Sequence, residues 1–160
     1  MTLAGTQARC VEAEQRFLDP RQVRVYSGWM TGLVPYLRFD ASARPALTFY
    51  RDVFGGELVL HTFADFGRTD GPSGAIAHGV LNGRVALFGA DAGKDDPPLN
   101  LQGIMLSLLG TADPATLELW FAALAEGGVV VDPLRERPWG AHDGQLVDRF
   151  GVPWLIGYEN

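Results

Sequence analysis

Three polar side chains, Tyr36, Arg38 and His78, lie in apolar runs and have functional groups that can act on a ligand. Arg38 carries the single charge between Leu33 and Phe39. A guanidinium in such a setting needs an anionic partner, because it stays charged and presents several donors in one plane. An imidazole can hydrogen-bond a ligand or serve as a general base. We therefore consider Arg38 a candidate anion-binding residue and His78 a candidate polar contact.

Both residues also have structural explanations. Arg38 can pair with a carboxylate of the same chain, and Asp148 is the candidate for that pair. His78 can be a histidine whose hydrogen bonds are satisfied within the fold. The sequence leaves both alternatives open.

The elements that position these residues begin with an apolar strand, Leu33–Phe39. Strand alternation places Tyr36 and Arg38 on one face and Leu37 and Phe39 on the other. Ser42 is a candidate cap for a helix that ends at Gly55–Gly56, since glycine readily adopts the conformation that ends a helix. A second extended run, from residue 57 to 63, follows that pair.

The same order of elements returns in the second half of the chain. Gly103–Leu109 is an apolar strand, and Asp113–Pro114 marks a helix start. Gly127–Gly128 then ends the helix, as Gly55–Gly56 ends the first one. The sequence therefore predicts one βαβββ unit used twice.

A hairpin in each unit sets which side chains share a face. Asn82–Gly83 is typical of a two-residue turn, and such a turn places His78 opposite Leu87. In the last hairpin, Leu155 alternates with Trp154 and Ile156, so that one face packs under the helix and the other is open. We interpret Trp154, like Trp120, as a core residue.

Four segments carry a family resemblance: VPYLRFD, FYRDVFGGE, AIAHGVLNGRVALFGAD and GQLVDRFGVPWLI. In this order they resemble the PhnB-like branch of the glyoxalase/bleomycin-resistance superfamily, the vicinal oxygen chelate proteins. The resemblance implies an α+β fold in which two tandem βαβββ modules, 33–92 and 101–158, form a curved mixed sheet with a concave cleft and helices outside. Residues 32–160 would be one domain, and residues 1–31 a flexible N-terminal extension.

Metal-dependent members of this superfamily hold a divalent ion with one His, Gln or Glu on the first and last strand of each module. The matching positions in this chain are Val34, Leu87, Gly103 and Leu155. None of them has a donor atom that can replace an imidazole or carboxylate. We therefore expect no cofactor, with a divalent metal as the alternative.

The predicted function is that of a metal-free small-molecule-binding protein that forms a homodimer. The alternative is a divalent-metal-dependent enzyme, a glyoxalase-like lyase or isomerase or a dioxygenase, with unusual ligands. We predict that the ligand-binding cleft is lined by Tyr36, Arg38, His78, Leu87, Met105, Trp139, Asp148 and Leu155.

Composition argues against other classes of function. The net charge is −6, and no cluster of Lys and Arg is present to neutralise nucleic-acid phosphates. No apolar run approaches the roughly 20 residues that span a bilayer. Cys10 is the only cysteine, so an internal disulfide is impossible. We expect a cytoplasmic protein that binds neither nucleic acid nor membrane.

Overall fold

The computed structural model describes residues 32–97 and 99–159, and they form two βαβββ modules. The predicted extension, residues 1–31, lies outside the described residues. No helix within the described ranges is long and apolar enough to cross a membrane. The first module contains β1 (Tyr36–Phe39), α1 (Ala43–Phe54), β2 (Glu57–Thr62), β3 (Ile76–Asn82) and β4 (Leu87–Asp91). The second contains β5 (Leu106–Leu109), α2 (Pro114–Ala125), β6 (Val129–Glu136), β7 (His142–Val147) and β8 (Pro153–Tyr158).

Each module has its own four-stranded mixed sheet. The strand orders are β1-β4-β3-β2 and β5-β8-β7-β6, with the first strand of each module parallel to the last and the other pairs antiparallel. The predicted α+β class with two βαβββ modules is confirmed. The first strand of each module lies at the edge of its sheet.

The second glycine of each Gly-Gly pair packs against the backbone of the following hairpin. A Cβ atom on Gly56 would lie 2.5 Å from the carbonyl oxygen of Asn82, and one on Gly128 would lie 2.4 Å from that of Val147. Gly56 also has a φ of 98°, which favours glycine. These pairs therefore end the helices as predicted and also allow the close approach of the next hairpin.

The two helices begin with different caps. Asp113 accepts a hydrogen bond from the backbone of Thr116 at 3.0 Å, as the Asp113–Pro114 pattern predicts. Ser42 makes no side-chain cap. Instead, the buried carboxylate of Asp91 accepts hydrogen bonds from the backbone of Ala43 at 2.8 Å and of Ile76 at 2.7 Å. Asp91 therefore joins the start of α1 to β3 and β4.

The predicted two-residue turn at Asn82–Gly83 is wrong. Leu81 pairs with Leu87, and Val80 pairs with Phe88, so that residues 83–86 form the loop. Val85 is buried within this loop, and we attribute the longer connection to that apolar burial. The observed register differs from the predicted register, so Leu87 lies on the helix side of the sheet, where it is 1% exposed.

One hydrophobic core contains residues of both modules. Phe54 of α1 meets Trp120 of α2 and Trp154 of β8, with ring centroids 5.1 and 5.4 Å apart. Tyr50 lies 5.8 Å from Trp154. The prediction that Trp120 and Trp154 are core residues is confirmed.

Asp148, in the loop between β7 and β8, is a buried carboxylate at the centre of this core. Its oxygens accept hydrogen bonds from the Tyr50 hydroxyl at 2.7 Å and the Trp154 indole N–H at 2.8 Å. The backbone N–H groups of Phe150 and Val152 donate at 2.8 and 3.0 Å. Burial, followed by the charge and hydrogen bond of Asp148, raises the pKa of Tyr50 well above its usual value, so the hydroxyl remains a donor.

We predict that Tyr50→Phe lowers the free energy of unfolding by about 1.5–3 kcal/mol, the usual effect of losing a hydrogen bond to a charged group. The matched control is Tyr158→Phe, which removes an exposed bond to Glu118 and should cost under about 1 kcal/mol. Urea denaturation of both variants measures the difference. Equal losses would contradict a special role for the buried Tyr50–Asp148 bond.

Candidate functional site

The first sheet has one face covered by α1, and no helix among the described residues covers its other face, which we call the open face. Leu37 and Phe39 are buried on the helix side, whereas Tyr36 and Arg38 are exposed. The alternation predicted for this strand is therefore correct. His78 reaches the open face from β3, and Phe88 reaches it from β4.

Three rings form an aromatic cluster on the open face. The rings of Tyr36 and His78 are stacked with centroids 5.7 Å apart, and Phe88 lies 6.2 Å from Tyr36 and 5.5 Å from His78. The Tyr36 hydroxyl and His78 Nδ1 share a hydrogen bond of 3.2 Å. An apolar surface with two polar groups at its centre can bind an aromatic ligand and fix its orientation.

The predicted pair between Arg38 and Asp148 does not form. Asp148 is 4% exposed and bound to Tyr50 and Trp154, on the helix side of the sheets. Arg38 projects from the other face of β1, and its Nη1 lies 3.4 Å from Asp96 Oδ1 in the segment between the modules. Asp148 is therefore a core residue and not part of the predicted cleft.

Leu87 also leaves the predicted cleft, because the hairpin register turns it into the core. Phe88 takes the open-face position in its place, and a phenyl ring cannot bind a metal ion any more than leucine can. Sequence reasoning missed Phe88 because a shift of one residue exchanges the two faces of a strand.

His61 is a further residue that the predicted site omitted. It is the cross-strand partner of His78, which places both rings on the same face. Burial lowers the pKa of His78, and the charge of His61 lowers it further. His78 therefore favours the neutral form at pH 7. The alternating pattern of β2 and β3 could have suggested this pair if the register of the two strands had been known.

The remaining predicted residues belong to the second module. Leu155 pairs with Ser107 and lies on the face opposite the buried Trp154, as predicted. Met105 is exposed just before β5. No hydrogen bond or ring contact among the described residues joins these side chains to the aromatic cluster of the first sheet. The modules meet instead on the helix side, through α1, α2 and the Asp148 loop.

Trp139 is 72% exposed and lines a cavity of about 630 Å³ at one end of the second sheet. His142 and Tyr158 also line this cavity, with their rings stacked 4.8 Å apart. The Nδ1 atom of His142 is buried and has no hydrogen-bond partner among the described residues. It is inaccessible from the cavity, so it does not by itself mark a ligand contact.

The described residues do not fit a glyoxalase-type metal centre. Within the ranges 32–97 and 99–159, no group of three or more His, Cys, Asp or Glu side chains is arranged to hold a metal ion. His61 and His78 supply two imidazoles on neighbouring strands. Two ligands are fewer than a stable protein site normally uses.

Two modules of this strand order, each with one helix-covered face, define the fold class, and a fold does not by itself determine a function. The chain belongs to the Glyoxalase/Bleomycin resistance protein/Dioxygenase superfamily, whose family model matches residues 32–156. The resemblance to the glyoxalase/bleomycin-resistance superfamily is therefore confirmed.

Similar proteins cover most of the chain. Protein YjdN of Escherichia coli K12 is 29% identical over 140 residues, which are 78% of this chain and 92% of that protein. The crystal structure of PA1353 from Pseudomonas aeruginosa is 35% identical, with a TM-score of 0.69 over 81% of this chain and 98% of that one.

A third relative shows the fold alone. It is a Bacillus cereus PhnB protein described as a putative 3-demethylubiquinone-9 3-methyltransferase. Its identity is 23% and its TM-score 0.67, over 80% of this chain and 99% of that one.

We predict that His78 titrates below the usual histidine value of 6.5. Because folding disfavours its charged form, the stability that neutral His78 contributes is present above pH 6.5 and is lost as the pH falls below it. His61→Gln should raise the pKa of His78 only partly, since burial is the larger cause.

An NMR titration of the ring protons of His61, His78 and His142 measures these values. A His78 that titrates at or above 6.5 in the parent would contradict the buried environment. An unchanged value in His61→Gln would show that the two rings do not interact.

Proposed function

We propose that this protein is a metal-free small-molecule-binding protein whose ligand lies on the open face of the first sheet. The observation that carries the proposal is the cluster of Tyr36, His78 and Phe88 with Arg38 on the same face. The rings supply apolar area, and the guanidinium supplies a charge-assisted contact. The ligand class that fits is an aromatic or apolar molecule with an anionic or phenolic group.

The absence of metal chemistry is part of the proposal. Val34, Gly103 and Leu155 have no ligand atom, and neither Leu87 nor its open-face neighbour Phe88 supplies one. One observation favours the alternative of a divalent-metal-dependent enzyme, namely the cross-strand pair of His61 and His78. Those two imidazoles would then need further ligands from substrate or water.

The proposal includes a homodimer. Met105, Leu109 and Trp139 expose large apolar side chains on the second module. Leu109 belongs to β5, an edge strand that the other strands of its sheet leave uncovered on one side. Exposed apolar groups at a sheet edge favour association, and a second copy of the chain is the partner that we propose.

We predict that native mass spectrometry of the desalted protein shows a dimer with far less than one divalent ion per chain. Leu109→Arg should shift the dimer to monomer, because it places a charge in the proposed contact. Leu119→Arg, at an exposed position on α2, is the matched control and should remain dimeric.

Two results would overturn separate parts of the proposal. About one tightly held divalent ion per chain would favour the metal-dependent enzyme, and its loss in His78→Gln would locate the ion. A monomeric parent protein would exclude the homodimer and leave the open-face site to be tested by itself.

Ligand binding can be tested with two fluorescent probes of similar shape. Anilinonaphthalenesulfonate carries a sulfonate, and N-phenylnaphthylamine has the same rings without the charge. Arg38→Met should weaken binding of the sulfonate about fivefold and change the affinity for the neutral probe by less than about twofold. The reason is that only the charge-assisted contact is lost.

Arg84→Met removes an exposed arginine from the loop between β3 and β4 and serves as the control. Fluorescence titration of folded protein gives the four affinities. If Arg38→Met and Arg84→Met bound the sulfonate equally well, Arg38 would not contact the ligand and the proposed site would be wrong.

A further inference from the structure

The guanidinium of Arg38 already has an anionic partner within the chain. Asp96 Oδ1 lies 3.4 Å from Arg38 Nη1, and the two side chains are 43% and 51% exposed. An ion pair of this length and exposure is weak, because water competes for both groups. An external anion can therefore compete for the same guanidinium.

Asp96 lies on a short segment that the first module holds from both sides. Ala92 donates a backbone hydrogen bond to the carbonyl oxygen of Phe39 at 2.8 Å. Leu99 donates one to the carbonyl oxygen of Arg38 at 2.7 Å. A carboxylate tethered so closely has a high effective concentration at Arg38, although the individual contact is weak.

A second arginine lies next to this segment. Arg68 pairs with Asp70, and its guanidinium carbon lies 3.9 Å from the centre of the Phe63 ring. A Cβ atom on Gly93 would lie 3.0 Å from Arg68 Nη2 and 3.3 Å from Asp96 Oδ2. The glycine therefore leaves room for Asp96 to approach Arg68 as well as Arg38.

We propose that the Asp96 carboxylate occupies the anion-binding position at Arg38, which we call the anion site, and thereby sets the selectivity of this site. A ligand binds through Arg38 only if its anionic group displaces the tethered carboxylate, so neutral molecules and weak anions gain little there. Displacement removes the side-chain contact of Asp96 with β1 and so loosens the segment 92–97, although backbone hydrogen bonds still join both ends of this connection to β1. It therefore couples occupation of the open face to the connection between the modules. This inference depends on the function proposed above.

The first test compares two neighbouring aspartates that differ in their contacts. Asp96→Asn should tighten binding of anilinonaphthalenesulfonate about two- to fivefold, the range expected when one exposed ion pair no longer competes. Asp95→Asn makes the same change in net charge one residue away, where no ion pair with the described residues exists. N-phenylnaphthylamine should bind parent and variants alike.

The outcomes separate this inference from the proposed function. If Asp96→Asn and Asp95→Asn bind the sulfonate equally, while Arg38→Met still weakens it, the anion site stands and the role of Asp96 is overturned. If Arg38→Met has no effect either, the site itself is wrong and this inference is overturned with it.

The second test uses Lys94, the only lysine of the sequence. A lysine-specific protease can cut the chain only there, so its rate reports how freely residues 92–97 move. Arg38→Met should be cut about two- to fivefold faster than the parent, and Arg84→Met should not. Neither variant alters the residues around the cleavage site.

Saturating anilinonaphthalenesulfonate should accelerate cleavage of the parent protein in the same way. Cleavage that is equally fast in the parent, in Arg38→Met and in the probe-bound protein would overturn the coupling between Arg38 and the segment.

Discussion

The arrangement of the two modules depends on the hydrogen bonds that the buried carboxylate of Asp148 accepts. A buried charge is costly unless hydrogen bonds compensate it, and here four donors do so. One of them, the Tyr50 hydroxyl, comes from the helix of the first module, whereas the others belong to the second hairpin. The donors must therefore be in place together, and this requirement limits how α1 can lie against the second module. The aromatic contacts around Tyr50, Phe54 and Trp154 add apolar burial to the same interface.

The packing of this core also determines which residues of β1 lie in the candidate site. Because α1 packs on Leu37 and Phe39, strand alternation turns Tyr36 and Arg38 to the other face of β1. The same rule places Leu87 in the core and Phe88 beside Tyr36. The core and the site thus use alternate residues of β1 and β4. A change that altered the strand register would exchange the two sets and destroy both.

The chemistry of the open face fits the binding site that we propose there. Its polar groups are a neutral histidine, a tyrosine hydroxyl and an arginine that already pairs with Asp96. None of the positions that hold metal in metal-dependent members of the superfamily has a suitable donor. Membership of the superfamily establishes the architecture, whereas the side chains decide which function it supports. In this chain they are consistent with the proposed ligand, an apolar molecule with an anionic group.

Sequence alone was enough to predict the βαβββ modules, the Gly-Gly helix ends, the Asp113 cap and the alternation of β1, because these features depend on local periodicity and backbone conformation. It also predicted Tyr36, Arg38 and His78 on one face, but for His78 this prediction used the two-residue turn at Asn82–Gly83, which is wrong. The three-dimensional structure was needed to find the loop at 83–86, the core position of Leu87, and the partners of Arg38, Asp148 and His78. Asp96 lies 58 residues from Arg38, and Asp148 lies 98 residues from Tyr50. Contacts over such separations are selected by the packing of the whole core, which no local pattern encodes.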